Sequence, residues 1–176
     1  FIKSSETFNL TIKGELIDYN SLNEEELLSI RKDINEKLAS SIENSKTLSI
    51  PDSVFRKYLV DTYLAVDNGK QQIIINTDDV IVINLGETSI KNLNGIENFT
   101  NLRQLNFNKT PIDKINLDLY TKLEELNCND TKITELDTSK LPDLKLLECK
   151  NNKISSLNLS NNSNITKLVC SNIGLS

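Results

Sequence analysis

The sequence predicts an α/β solenoid. Coils of one parallel strand each stack with short segments on their convex side, after a helical amino-terminal cap and a small α+β amino-terminal extension. Three observations carry that prediction. Residues 123–143 read LEELNCNDTKITELDTSKLPD and residues 144–164 read LKLLECKNNKISSLNLSNNSN, with leucines, a cysteine and an isoleucine at matching places. Apolar residues 21 apart form columns: Leu102, Leu123, Leu144 and Ile165; Leu105, Leu126, Leu147 and Leu168; Phe107, Cys128, Cys149 and Cys170. The second and third columns alternate with polar residues, as in a short strand with one buried face.

The extension comes first. SETFNLTIKGELID, 5–18, sets Phe8, Leu10 and Ile12 against polar neighbours and predicts one or two short strands. SLNEEELLSIRKDINEKLASSIENS, 21–45, predicts a helix. Ser21 and Glu24 have capping-box spacing, and Leu27, Ile30, Ile34, Leu38 and Ile42 share a face. The run Glu24 to Glu26 reads as a solvated helix start, not a metal site. After Pro51, DSVFRKYLVDTY predicts a second helix with Phe55, Tyr58, Leu59 and Tyr63 on one face. With the strand QQIIIN, 71–76, it forms a cap that shields the first coil's core from water. The expected divisions are 1–49 for the extension, 50–79 for the cap and 80–176 for four to five coils.

Each coil places apolar residues at positions 1, 4, 6, 11 and 14, the leucine-rich-repeat pattern. Ile112, Ile133 and Ile154 form the fourth column, and Ile115, Leu136 and Leu157 the fifth. An earlier coil opens at Val80 and is 22 residues long. One coil cannot bury its own apolar side, so coils stack and their strands make a parallel sheet. The strands fall at 82–85, 104–107, 125–128, 146–149 and 167–170. The three cysteines are expected to be buried free thiols, because stacked side chains point the same way and three in line lack a fourth metal ligand. Thr88, Thr110, Thr131 and Asn152, at position 9, are expected to bond backbone groups of the neighbouring coil.

Composition narrows the function. The chain has 176 residues and no His, which excludes Ser-His-Asp and Cys-His nucleophiles and His-containing zinc sites. Residues 1–79 carry 9 basic and 14 acidic groups, and residues 80–176 carry 11 of each. With no basic stripe, nucleic acid and anionic membrane surfaces are not expected partners. No apolar run of about 18 residues exists, so no membrane insertion is expected. A start at Phe1 suggests a processed or truncated chain. No catalytic residue, metal or cofactor is expected. What the coils offer is a concave sheet face whose outward side chains vary freely. Gln104, Asn106 and Asn108, Glu125, Asn127 and Asn129, Glu148 and Lys150, and Lys167 are the candidate partner-binding residues there. Leu146, Val169 and Ser171 share that face, while Asn161 and Asn162 belong to the convex side.

IPDSVFRKYL, 50–59, and INLGETSIKNLNGIENFTNLRQLNF, 83–107, resemble the cap and first coils of secreted bacterial leucine-rich-repeat proteins. The likeness is to surface proteins of the internalin-like kind with a cysteine column in 21-residue coils, over residues 50–175. The resemblance implies a secreted or cell-surface protein that binds host or neighbouring macromolecules, with a protein or glycan as ligand and no catalytic residues. Many such proteins carry an EF-hand-like loop after the cap helix. Here AVDNGKQQIIINTDD, 65–79, keeps only Asp67, Asn68 and Gly69 of it, so calcium is not expected. A monomer is expected. One alternative is a structural stalk or capping fragment of a larger surface protein, suggested by a last partial coil without its own cap. A remote alternative is a glycosidase using Glu125 and Glu148 on adjacent coils.

Overall fold

A computed structural model describes residues 9–12, 15–18, 23–26, 28, 29, 32, 45–63 and 65–174. The chain divides into two compact units, residues 1–43 and 44–176. In the first, β1 (Asn9–Ile12) pairs antiparallel with β2 (Glu15–Asp18), Asn9 opposite Asp18. The expected strand region is therefore a two-stranded hairpin. Residues 24–26, 28, 29 and 32 are helical. The helix start carries reciprocal capping bonds, but two residues later than the sequence spacing suggests. The Asn23 side chain accepts from the Glu26 N–H, and Glu26 accepts from the Asn23 N–H, at 3.0 and 2.9 Å. Ser21 and the expected apolar face at 27, 30, 34, 38 and 42 lie outside the described residues.

The second unit begins with β3 (Lys46–Ser49), which the sequence reading had not singled out. It pairs antiparallel with β5 (Gln72–Ile75), and β4 (Val66–Asp67) pairs on the other side of β5. Helix α1 spans Ser53–Thr62, as the apolar spacing of 52–63 predicts, and buries Phe55 and Leu59. Asp52 caps it. One carboxylate oxygen accepts from the N–H groups of Val54 and Phe55, and the other from the N–H of Lys91 in the first coil, at 2.9 Å. Burial alone would raise this carboxyl's pKa. Backbone N–H donors from Lys91, Phe55, Val54 and Asn92 outweigh it and hold the group below its ordinary value. Phe55 also meets Phe99 edge to face, with centroids 6.2 Å apart.

Beyond β5 the strands are β6 (Val82–Asn84), β7 (Gln104–Asn106), β8 (Glu125–Asn127), β9 (Leu146–Glu148) and β10 (Lys167–Val169). All four pairings are parallel, and they follow the repeat: Ile83 stands beside Leu105, Leu105 beside Leu126, Leu126 beside Leu147 and Leu147 beside Leu168. Each strand is one residue shorter than expected, because the position-6 residue ends it. The position-1, -4, -6 and -11 columns are buried through the fourth coil. The fifth coil covers that stack, and among the described residues it is itself covered on the side of β9, so Leu168 stays 41 % exposed and Ile165 and Cys170 half-buried.

A parallel sheet leaves unpaired backbone groups at each edge. At the β6 edge two tyrosines take a strand's place. The Tyr63 hydroxyl donates to the Val82 carbonyl, and the Tyr58 hydroxyl accepts from the Asn84 N–H at 2.9 Å. Their rings touch edge to face. Burial and the neighbouring Tyr58 push the Tyr63 pKa from 10.0 up to about 12.

Gly95 fixes the same junction. It sits at φ 98°, and a side chain there would overlap the Ile50 side chain and come within 2.9 Å of the Ser49 carbonyl. Gly95→Ala should therefore cost at least about 1–3 kcal/mol through strain and collision. A urea midpoint equal to that of the unaltered protein would refute the contact.

Alkaline pH tests the tyrosine edge. The unfolded chain releases the Tyr63 proton near 10.0 and the folded chain only near about 12. Stability from this group is thus intact below pH 10 and lost as pH climbs toward 12. Tyr63→Phe should lose about 1 kcal/mol at neutral pH, with the Val82 carbonyl left unpaired. It should also flatten the fall in urea midpoint above pH 10, and an equally steep fall in the variant would show that Tyr63 is not the group responsible.

Candidate binding face

The outward positions of the five strands form one face. Its rows are Val82, Gln104, Glu125, Leu146 and Lys167 at position 3, and Asn84, Asn106, Asn127, Glu148 and Val169 at position 5. The asparagine row is bonded in two groups, Asn84 with Asn106 and Asn127 with Glu148. Within each coil the side-chain oxygen of Asn84, Asn106 or Asn127 accepts from the N–H two residues on, in Gly86, Asn108 or Asn129, at 3.0–3.3 Å. This local turn bends the chain out of the strand. Between coils, the Asn106 amide donates to the Asn84 oxygen at 2.9 Å.

Glu148 breaks the asparagine row and reverses the donor direction. One of its carboxylate oxygens accepts from the Asn127 and Asn129 amides at 3.0 and 3.1 Å, and the other meets the Lys167 ammonium at 3.0 Å. Glu148 and Glu125, the two carboxylates a glycosidase would use, are thus in different states. Glu148 is matched by a lysine and two amides, whereas Glu125 is exposed on an open strand.

The nine candidate residues therefore occupy three kinds of place. Gln104 and Glu125 stand exposed, and Asn108 and Lys150 are half-buried beside them. Asn106, Asn127, Glu148 and Lys167 face outward but are engaged with one another and with Asn84 and Asn129. Asn129 is only 7 % exposed and ties coils together, its oxygen accepting from the Lys150 N–H at 2.8 Å. The alternation of outward and inward residues stops at position 6, which is why position 7 cannot be assigned from strand period alone. Val82, Gln104, Glu125 and Leu146 border a shallow depression of about 220 Å³ over the asparagine row.

A second ladder flanks the face at position 2. Glu124 is held between Arg103 and Lys145, each at 2.5 Å. Hydrogen bonds from Lys145 and Arg103 keep the Glu124 carboxyl below its ordinary pKa. A third lies at position 8, where Glu87, Lys109, Asp130, Asn151 and Asn172 all adopt φ between 53 and 60°. Lys109 meets Glu87 at 2.6 Å, Asn151 donates to Asp130 at 2.6 Å, and Asn172 donates to Asn151 at 2.9 Å. Sequence reasoning missed this row. Its faint signal is the Asn and Asp content of the later coils, since those residues tolerate left-handed backbone better than most.

Two structural expectations need correction. Thr88 and Thr110 bond carbonyls of their own coils, Leu85 and Phe107, at 2.6 Å. Thr131 likewise bonds the Cys128 carbonyl of its own coil at 3.1 Å, and its contact with the next coil is to a side chain, the Asn152 oxygen at 2.6 Å, not to the backbone. Asn152 is longer and bonds the Cys128 carbonyl of the preceding coil as well as Cys149 in its own. Asn162, expected on the convex surface, is 4 % exposed and donates to the Thr138 and Leu141 carbonyls of the preceding coil.

Asp67 accepts from the Gly69 N–H and from Arg56 of α1, and Asn68 accepts from the Lys70 N–H and donates to Gln72. Among the described residues no group of three or more acidic or cysteine side chains converges to hold a metal.

Parallel strands at 21-residue spacing, with leucine columns inside and an asparagine row outside, define a leucine-rich-repeat solenoid with a cysteine column. Among the solved structures that it resembles are Listeria monocytogenes internalins. One is the functional domain of InlJ, which includes a cysteine ladder: 26 % identity, TM-score 0.66, covering 77 % of this chain and 31 % of that one. A second is InlF, at 24 % identity and TM-score 0.55, covering 57 % and 31 %, a likeness of fold. A third is internalin C2, at 26 % and 0.50, covering 56 % and 43 %. This chain spans less than half the length of each. No protein-family model matches the sequence. No curated protein matches it either.

The cysteine column grades from closed to open. Cys128 and Cys149 are fully buried, and Cys170 is half-buried at the last coil. Burial and the neighbouring Cys149 push the Cys128 thiol well up, and burial with Cys170 raises Cys149 from 9.0 to about 11. Since the thiolate is the reactive form, a thiol reagent should titrate Cys170 alone in the native protein and all three cysteines in denaturant. Three thiols reacting at one rate without denaturant would show the column to be open.

Proposed function

We propose that this chain is a non-enzymatic binding module of a secreted or cell-surface bacterial protein, recognising a protein or glycan through the concave face of its coils. The observation that carries the reading is the division of labour on that face. The asparagine and Glu148 network holds the strand ends rigid, and exposed Gln104 and Glu125 stand over it between apolar Val82 and Leu146. A preorganised surface loses little freedom on binding. The internalin neighbours support a surface-protein binding module in general, and adhesion to host or neighbouring cells is the finer role we assign. In this reading residues 80–176 carry recognition as a monomer, and the cap comprises 44–79, because β3 pairs with β5, which leaves 1–43 and not 1–49 as the extension.

The test is an array of proteins and glycans probed with the whole chain, followed by the triple variant Gln104→Ala, Glu125→Lys, Lys150→Glu. These side chains lie outside the network, so each change should shift stability by about 0.5 kcal/mol or less. Binding should weaken by about tenfold or more, a loss of roughly 1.4 kcal/mol. A triple variant that binds normally, or loss of binding only on changes within residues 1–43, would sink the concave-face reading.

A further inference from the structure

We infer that the recess between the first and second coils, on the side away from the strands, binds an uncharged, hydroxyl-rich ligand: one sugar residue of a glycan. This site is separate from the concave face and does not depend on it.

The recess follows from the repeat. The first coil is one residue longer than the second and turns through a 3₁₀ segment, Ile96–Asn98, that the second coil lacks. The two coils part there and leave an open space of about 380 Å³. That lies near the lower end of the range of about 300–1,000 Å³ for small-molecule sites. Its floor is apolar, with Leu93, Ile96 and Ile112 buried and Ile115 half-buried, a surface for the C–H face of a pyranose. Its rim carries two cations, Lys91 and Lys114, and two anions, Glu97 and Asp113, so it favours neither net charge. A hydroxyl both donates and accepts, so it can match ammonium, carboxylate and amide in turn.

Tyr120 supplies the independent observation. It lines the recess, is 1 % exposed, and its hydroxyl has no hydrogen-bond partner among the described residues. Every wholly enclosed side-chain polar atom among those residues is paired. The unpaired Tyr120 oxygen therefore opens on the recess, where a buried hydroxyl is ordinarily satisfied. Burial and the nearby Glu97 carboxylate push its pKa up, so it remains a neutral donor.

The experiment titrates the ¹⁵N-labelled whole chain with glucose, galactose, mannose and N-acetylglucosamine, each to about 50 mM, enough to saturate a site with a Kd near 1 mM. At least one sugar should shift signals of residues 91–97 and 113–116 saturably. Tyr120→Phe should weaken that sugar severalfold while leaving the thermal midpoint unchanged, because the hydroxyl has no partner inside the protein. Should Tyr120→Phe fail to fold, Lys114→Ala and Asp113→Ala, both exposed, should weaken binding in the folded protein. No saturable shift with any of the four sugars, shifts confined to the concave strands, or full affinity in the recess variants would each overturn the site. None of these outcomes bears on binding at the concave face.

Discussion

Every side chain in this solenoid has the equivalent side chain of the next coil as its neighbour, roughly 4.8 Å away. A column must therefore be compatible with itself. Leucine and isoleucine meet that condition by packing, and the columns at positions 1, 4 and 11 consist almost wholly of them. Asparagine meets it by chemistry, because its amide donates while its oxygen accepts, so Asn84 and Asn106 can bond each other directly. A charge cannot repeat in such a column without repulsion. Position 2 accordingly runs Arg103, Glu124, Lys145, and the glutamate is shared by both cations. Exposed pairs of this kind stabilise little, because solvent screens them. Their main effect is to remove like-charge contacts from the stack.

Self-compatible columns fail at the ends, where a coil has no neighbour. The structure meets this at β6 with groups that imitate a preceding coil. Tyr63 and Tyr58 bond the carbonyl and N–H that a strand would have bonded. Asp52 caps α1 and the Lys91 N–H together, so helix and first coil share one buried carboxylate. Gly95 lets the first coil's turn come against Ser49 and Ile50. At β10 the same columns are only half covered, and Leu168 and Cys170 show the difference.

The columns explain which parts were legible in the sequence. A strict 21-residue spacing fixed the strands, their parallel order and the buried residues, because each follows from period alone. α1 was legible from its apolar face and cap. Side chains whose role depends on length or on the backbone around them were not. Thr110 and Asn152 share a column, yet one reaches its own coil and the other two coils. Asn161 and Asn162 are neighbours, yet one is exposed and the other is buried between coils. Asn129 could be placed outward only by extending strand alternation past position 6, where the chain has already turned. The left-handed residues at position 8 carry mixed side chains, Glu and Lys before Asp and Asn, so composition marks only the later coils and only faintly.

The same rule limits what the concave face can hold. On the reading proposed above, position 5 is engaged in side-chain hydrogen bonds as far as Glu148, so discrimination would fall to position 3 and to the half-buried residues at position 7. Read along the stack, position 3 is Val82, Gln104, Glu125, Leu146 and Lys167: apolar, amide, acid, apolar, base. Five strands span about 19 Å, and positions 3 to 7 about 13 Å, giving roughly 250 Å² in projection. An ordinary protein interface takes about 800 Å² from each partner. On the concave-face reading proposed above, a protein partner contacting these five coils would also touch the flank, where Arg103, Glu124 and Lys145 present a ladder already neutralised, whereas an oligosaccharide or a single extended peptide would need no more of these coils than the strip itself.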